Sequence, residues 1–195
     1  MKIGRRKLGV FLSALFARRH YIAAFNMFRE YQNPLDGFRR YLLGRGQYPA
    51  SIVMNTPIGP LTFTVYSYDD ILTVNEIFCR RDYPARAQHR VIVDFGSNIG
   101  ISAAYFLSFA PKSFVYLYEP LRSNIERLQD NLRQFEGRYA LQEVAVGQAD
   151  GEVKFGWEHT GRYGGIGPMD GQVCVCCLPG LKPDSGRNHR KTWAD

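Results

Sequence analysis

Three apolar residues, Val91-Ile92-Val93, end in Asp94, and a turn with two glycines, Gly96 and Gly100, opens into the apolar stretch Ile101–Phe109, which Pro111 closes. This is a strand, a tight loop and a helix. The pattern repeats at once. Phe114–Tyr118 is a second strand, and Leu121, Ile125, Leu128, Leu132 and Phe135 recur at helical spacing over 121–135 until Gly137 ends the helix. A third strand covers 139–146. Strands alternating with helices build a parallel sheet, because parallel neighbours must be joined by a crossover. Ligands of such open sheets bind at the carboxyl ends of the strands, where the loop after Asp94 lies.

Upstream, the first residues read as three helical pieces. Leu8, Phe11, Leu12, Leu15 and Phe16 mark a basic amphipathic helix, and Ile22, Phe25 and Phe28 a second. The third carries Leu35, Phe38, Tyr41 and Leu42 between the cap Asn33-Pro34 and the stop Gly44. Ser51–Thr56 and Leu61–Tyr66 then form a hairpin, with Leu61, Phe63 and Val65 on one face. Asp69 and Asp70 offer a cap for a short helix through Phe78. Four segments result: a basic helical segment (1–49), a hairpin and short helix (50–85), an α/β domain (86–177) and a polar tail (178–195).

The 195 residues are 45% hydrophobic and 14% aromatic, enough for a packed core. The net charge of +7 sits at the front: Lys2, Arg5, Arg6, Lys7, Arg18, Arg19 and Arg29 precede the first acid, Glu30, and the remainder is balanced. That distribution argues against a nucleic-acid groove over the body of the protein. It suits a basic arm, whose plainer fate is packing on the domain and whose sharper one is peripheral contact with a membrane surface. The apolar run Leu8–Ala17 is too short to span a bilayer. Cys79, Cys174, Cys176 and Cys177 lack the spacing of a disulfide scaffold or of a zinc site, so a reducing, cytoplasmic setting is expected and no metal.

The chemistry concentrates between two acids. Glu119 ends the second strand beside the glycine loop, where a carboxylate accepts hydrogen bonds from ribose hydroxyls. The loop is not the G-x-G-x-x-G of dinucleotide sites, and no Gly-Lys-Ser/Thr follows it. Asp94 would repel a pyrophosphate and suits a cofactor that carries an amino group, a ribose and a sulfonium, as S-adenosylmethionine does.

Taken jointly, Val91–Gly100, Tyr118-Glu119-Pro120 with Asn124 and Leu128, and Ala145-Val146-Gly147 with Asp150-Gly151 resemble the opening motifs of FkbM-type S-adenosylmethionine-dependent methyltransferases. Thr56–Pro60, Asp70, Thr73-Val74, Ile77-Phe78 and Asp82-Tyr83 are similar to the family's lead-in. The resemblance covers about residues 50–155. It implies a Rossmann-like class I methyltransferase sheet, here its first three parallel strands, behind an N-terminal helical and hairpin extension. It also implies methyl transfer to a hydroxyl of a sugar or natural-product acceptor. On that resemblance, Gly96, Ser97, Asn98, Ile99 and Gly100 would cradle the methionine portion, and Asp94 would order the loop or meet the amino group. Glu119, followed by Pro120, would hold the ribose, and Ala145 and Val146 would lie at the adenine edge.

The family's later Lys-x-Asp-x-Glu-Gly motif does not occur, so the chain is expected to hold the front half of the fold and to leave Val91–Val93 as an uncovered edge. No catalytic base is marked, and His159 in the glycine-rich stretch reads as a loop histidine. Two other readings stand beside this one. A noncatalytic remnant would pair its sheet edge with a partner, and a nicotinamide-dependent enzyme would use the same strand and loop.

Overall fold

The computed structural model describes residues 2–3, 6–7, 18–147, 151–157, 164–166 and 173–178. The helix expected over Leu8–Phe16, His159, His189, Asp150 and the tail beyond Leu178 lie outside them. Short strands β1 (Lys2–Ile3) and β2 (Arg6–Lys7) pair antiparallel. Helices α1 (Arg18–Glu30) and α2 (Pro34–Leu43) follow. The Asn33 side chain accepts from the Asp36 N–H at 3.2 Å, and Gly44 closes α2 in the left-handed region at φ 64°, as the sequence anticipates.

The hairpin forms from β3 (Ala50–Thr56) and β4 (Gly59–Val65), with Ile52 opposite Phe63 and Met54 opposite Leu61. These four side chains and Val65 are buried, which period-two alternation over one covered face requires. The next helix, α3 (Tyr68–Val74), is capped by Ser67 and not by Asp69 or Asp70. Asp70 instead serves at the third helical position. Its carboxylate accepts from the Ser67 N–H at 2.9 Å and the Tyr66 N–H at 2.7 Å, while the Ser67 hydroxyl accepts from the Asp70 N–H. Past Val74 the helix widens into a π-helical turn, Asn75–Cys79.

The parallel sheet consists of β5 (Val91–Phe95), β6 (Phe114–Tyr118) and β7 (Tyr139–Gln142) in that spatial order, joined by α4 (Ile101–Phe109) and α5 (Arg122–Leu132). The strand expected over 139–146 ends at Gln142. Its partner supplies the reason: β6 stops at Tyr118, the Glu119 N–H makes one last bond to the Gln142 carbonyl at 3.1 Å, and Pro120 has no N–H to continue the ladder. Likewise α5 stops at Leu132 and tightens into a 3₁₀ turn, Arg133–Phe135, before Gly137. Beyond the parallel sheet, β8 (Gly151–Trp157) pairs antiparallel with both β9 (Gly164–Ile166) and β10 (Val173–Leu178).

One hydrophobic core joins the lead-in to the α/β unit. Met27 from α1, Tyr31 just after it, Met54 and Phe63 from the hairpin, and Tyr105, Leu117 and Leu128 from the α/β unit belong to a single buried cluster. Phe78, in the π-helical turn, is its joint: its ring lies 5.8 Å from Phe63 on one side and 5.2 Å, edge-on, from Tyr105 on the other. The sheet is dressed unevenly. Val115 and Leu117 are fully buried, whereas Val91, Val93 and Phe95 on the opposite face are about half exposed. Among the described residues β5 pairs with β6 alone. No helix among the described residues is long and apolar enough to cross a membrane.

Candidate functional site

The glycine loop is held from below. The Tyr118 carbonyl, at the end of β6, accepts from both the Gly96 N–H (2.9 Å) and the Ser97 N–H (3.1 Å), and the Glu119 carboxylate accepts from the Asn98 N–H at 2.8 Å. Three successive loop N–H groups are thereby committed to protein acceptors and are not aimed at a ligand anion. The loop achieves this with three residues in the left-handed region, Gly96 (φ 73°), Asn98 (φ 48°) and Gly100 (φ 84°). Gly100 carries a second constraint, because a Cβ there would stand 3.2 Å from the side chains of both Leu128 and Leu132 on α5.

Asp94 occupies the mouth of α4. Its carboxylate accepts from the Ser102 hydroxyl at 2.6 Å, and the Ser97 hydroxyl donates to the Asp94 carbonyl at 2.9 Å. Burial pushes the Asp94 carboxyl above the usual carboxylate range, and the bonds from Ser102 and Ser97 draw it part of the way back. The α4 N-terminus has no side-chain cap, so its dipole also favours a negative charge at this point.

Glu119 lies behind the loop, 4% exposed. Besides the Asn98 N–H, it accepts from the Leu121 N–H at 3.0 Å and the Asn124 amide at 3.2 Å, both on Oε1. It ties the loop to the start of α5. Oε1 is filled by these donors and Oε2 keeps one lone pair beyond the Asn98 bond, which is less than the two acceptor positions a ribose diol uses. Burial raises the Glu119 carboxyl, opposed by its three hydrogen bonds and reinforced by the charge of Asp94.

Above the loop opens a cavity of about 480 Å³. Asp94, Gly96, Ser97, Asn98 and Ile99 line one wall; Gly100, Glu119, Pro120, Ala145 and Val146 do not line it. The facing wall comes from the lead-in, where Asp70, Thr73, Glu76 and Ile77 project from α3 and its π-helical turn, joined by Tyr83. The spacing 73, 76, 77 puts these side chains on one helical face, and the helix widens there into the π turn. Its cost is partly met by Asn75, whose buried amide donates to the Ile71 carbonyl (2.9 Å) and to the Tyr31 hydroxyl (3.0 Å). Glu76 is a site residue that the sequence pattern leaves unmarked; the signal for it was the spacing 70, 73, 76, 77 within one helical face. The described residues lining the cavity include three carboxylates, Asp70, Glu76 and Asp94, and no Lys, Arg or His.

No family model matches the chain. A stretch of 94 residues, 47% of the chain, is 39% identical to part of the AMB antimetabolite synthetase AmbE of Pseudomonas aeruginosa. The match takes in 4% of that protein's length. Among solved structures, a methyltransferase FkbM from Methylobacillus flagellatus KT is similar over 57% of this chain and 32% of its own, at 17% identity and a TM-score of 0.34. Both likenesses are therefore partial.

Proposed function

We propose that this chain carries the S-adenosylmethionine-binding part of an FkbM-like methyltransferase, with the cofactor seated between the glycine loop and the α3 wall. The acceptor would be a hydroxyl of a sugar or natural-product scaffold. One observation carries the reading: a cavity walled by Asp94 and Glu76 and lined, among the described residues, by no Lys, Arg or His, above a loop whose Gly96, Ser97 and Asn98 N–H groups are already engaged. Such a site repels a pyrophosphate and attracts a ligand with positive charge. A sulfonium and an ammonium in one molecule match it, and 480 Å³ falls within the range of small-molecule pockets. The match to a stretch of an antimetabolite synthetase agrees with a small natural-product acceptor.

When bound, the cofactor supplies an electrophilic methyl group. The chain's own residues do the holding. Asp94, fixed by Ser102, and Glu76 across the cavity take the ammonium of the amino-acid end; Ile77 and Ile99 keep the space between them apolar. Glu119, which lies behind the loop and outside the cavity, holds the loop in register.

Calorimetric titration tests this. S-adenosylhomocysteine is expected to bind the wild type, and Glu76→Gln to weaken it by roughly tenfold, on the order of one charge-assisted contact. Methylthioadenosine, which lacks the amino-acid end, should be indifferent to Glu76→Gln. Binding of NADH in preference to S-adenosylhomocysteine would overturn the proposal.

A further inference from the structure

The outer face of α1 is apolar where a helix on a domain surface is ordinarily polar. Phe25 is 65% exposed and Phe28 62%, and Ile22 lies one turn away on the same side. The opposite face, with Ala23, Met27 and Glu30, is buried. The Phe28 ring packs on Phe38 of α2 at 4.7 Å, which carries the apolar surface across to Leu35, 78% exposed. An apolar stripe of this size on a charged protein marks a contact surface.

Its surroundings say which kind. Arg29 and Arg39 flank the stripe with side chains 54% and 59% exposed, and Arg39 follows Leu35 by one turn on α2. Just beyond, Arg39, Arg40 and Arg45 line a shallow hollow of about 510 Å³ at the end of α2. Between residues 18 and 45 the acids are Glu30 and Asp36. Glu30 is buried and pairs with Arg29 and Arg81, and Asp36 pairs with Arg40 at 2.6 Å and Arg39 at 3.9 Å, so two acids meet five arginines, Arg45 included, and the rim keeps a positive excess. A second copy of this face would bring like charge to it, and so would the basic stretch Lys2, Arg5, Arg6 and Lys7. A negatively charged partner with an apolar interior meets both requirements.

We infer that the α1–α2 face docks on an anionic lipid surface. Phe25, Phe28 and Leu35 enter the boundary between headgroups and acyl chains, and Arg29, Arg39 and Arg45 lie at the level of the lipid phosphates. The cavity above the glycine loop plays no part in this.

Co-sedimentation of the full chain with vesicles tests the inference. Wild type is expected to bind phosphatidylcholine vesicles containing phosphatidylglycerol, to bind pure phosphatidylcholine far less, and to be released by salt. Phe25→Ser with Phe28→Ser should lower the partition coefficient about tenfold or more, since two exposed rings lose their apolar contact. Arg39→Gln with Arg45→Gln should lower it about fivefold per charge on the anionic vesicles alone. Phe28 gives up its contact with Phe38 in the double variant, so Phe25→Ser alone, at the more exposed ring, and the arginine pair are the variants in which the melting temperature should hold. Equal binding to the two vesicle types, or none to either, overturns the inference. So does a drop in melting temperature in Phe25→Ser, which would show the face covered by the chain itself, or a wild-type dimer abolished by that variant, which would show it covered by a second copy.

Discussion

At the scale of single residues, the loop is shaped by two different demands on glycine. Gly96 needs only its positive φ, for a Cβ there would meet nothing within 4 Å, whereas Gly100 needs both the conformation and the space. Gly96→Ala should therefore cost about 1 kcal/mol and Gly100→Ala about 2–4 kcal/mol in denaturant unfolding. Equal losses would show that α5 yields to the added methyl. The carboxylates make a second prediction, with opposite signs for folding and for binding. Asp70, Asp94 and Glu119 are each raised by burial. In the pH window from the ordinary carboxylate range up to those raised values, the folded chain holds protons that the unfolded chain has lost. Stability is thus greatest below that window and falls as pH rises through it. Affinity for a cationic ligand should climb over the same interval as Asp94 ionises. Thermal melts and S-adenosylhomocysteine titrations across mildly acidic pH check both slopes, and Asp94→Asn should flatten each. That Asp94 and the loop meet between a strand end and a helix start was legible in the sequence, because an acid followed by spaced glycines at a strand end admits few other arrangements. The engagement of Glu119 by Asn98, Leu121 and Asn124 was not, since each bond joins segments that only the folded sheet brings together.

Among elements, α5 does more than cover the sheet. Asn131, 4% exposed, accepts from the Thr64 N–H of β4 at 2.7 Å and donates to the Thr64 carbonyl (3.1 Å) and the Ile99 carbonyl (2.9 Å). One amide thus fastens the hairpin to the glycine loop. Asn131→Ala should cost about 2–3 kcal/mol, because it leaves buried backbone groups without partners, and should weaken S-adenosylhomocysteine binding through Ile99 although the side chain never reaches the cavity. Unchanged stability would mean that water replaces the amide. The strands and helices of the α/β unit were readable because their apolar periods are clean over 91–142. The π-helical turn was hidden: Ile71, Val74, Ile77 and Phe78 continue an ordinary helical stripe, and the widening is fixed by Asn75 finding Tyr31 in the connection between α1 and α2. The end of β7 was hidden for a related reason, being decided by Pro120 on its partner strand.

For the whole molecule, the shared core means that the lead-in and the α/β unit stand or fall together. Met54 is fully buried in the hairpin, and Phe78 connects that layer to Tyr105. Met54→Ala should cost about 2–5 kcal/mol and shift one cooperative transition, with circular dichroism and aromatic absorbance moving in step. Two separate transitions would show independent units. The amide of Asn131 has a kinetic counterpart. β4 sits at the margin of a two-stranded ribbon, where backbone protons ordinarily trade with solvent through local fraying. The Thr64 N–H faces outward from that ribbon yet is locked to α5, so its exchange requires the hairpin to separate from the helix. In native-state deuterium exchange, the slowest proton of β4 should be this one at the ribbon's outer edge, and occupancy of the distant cavity should slow it further.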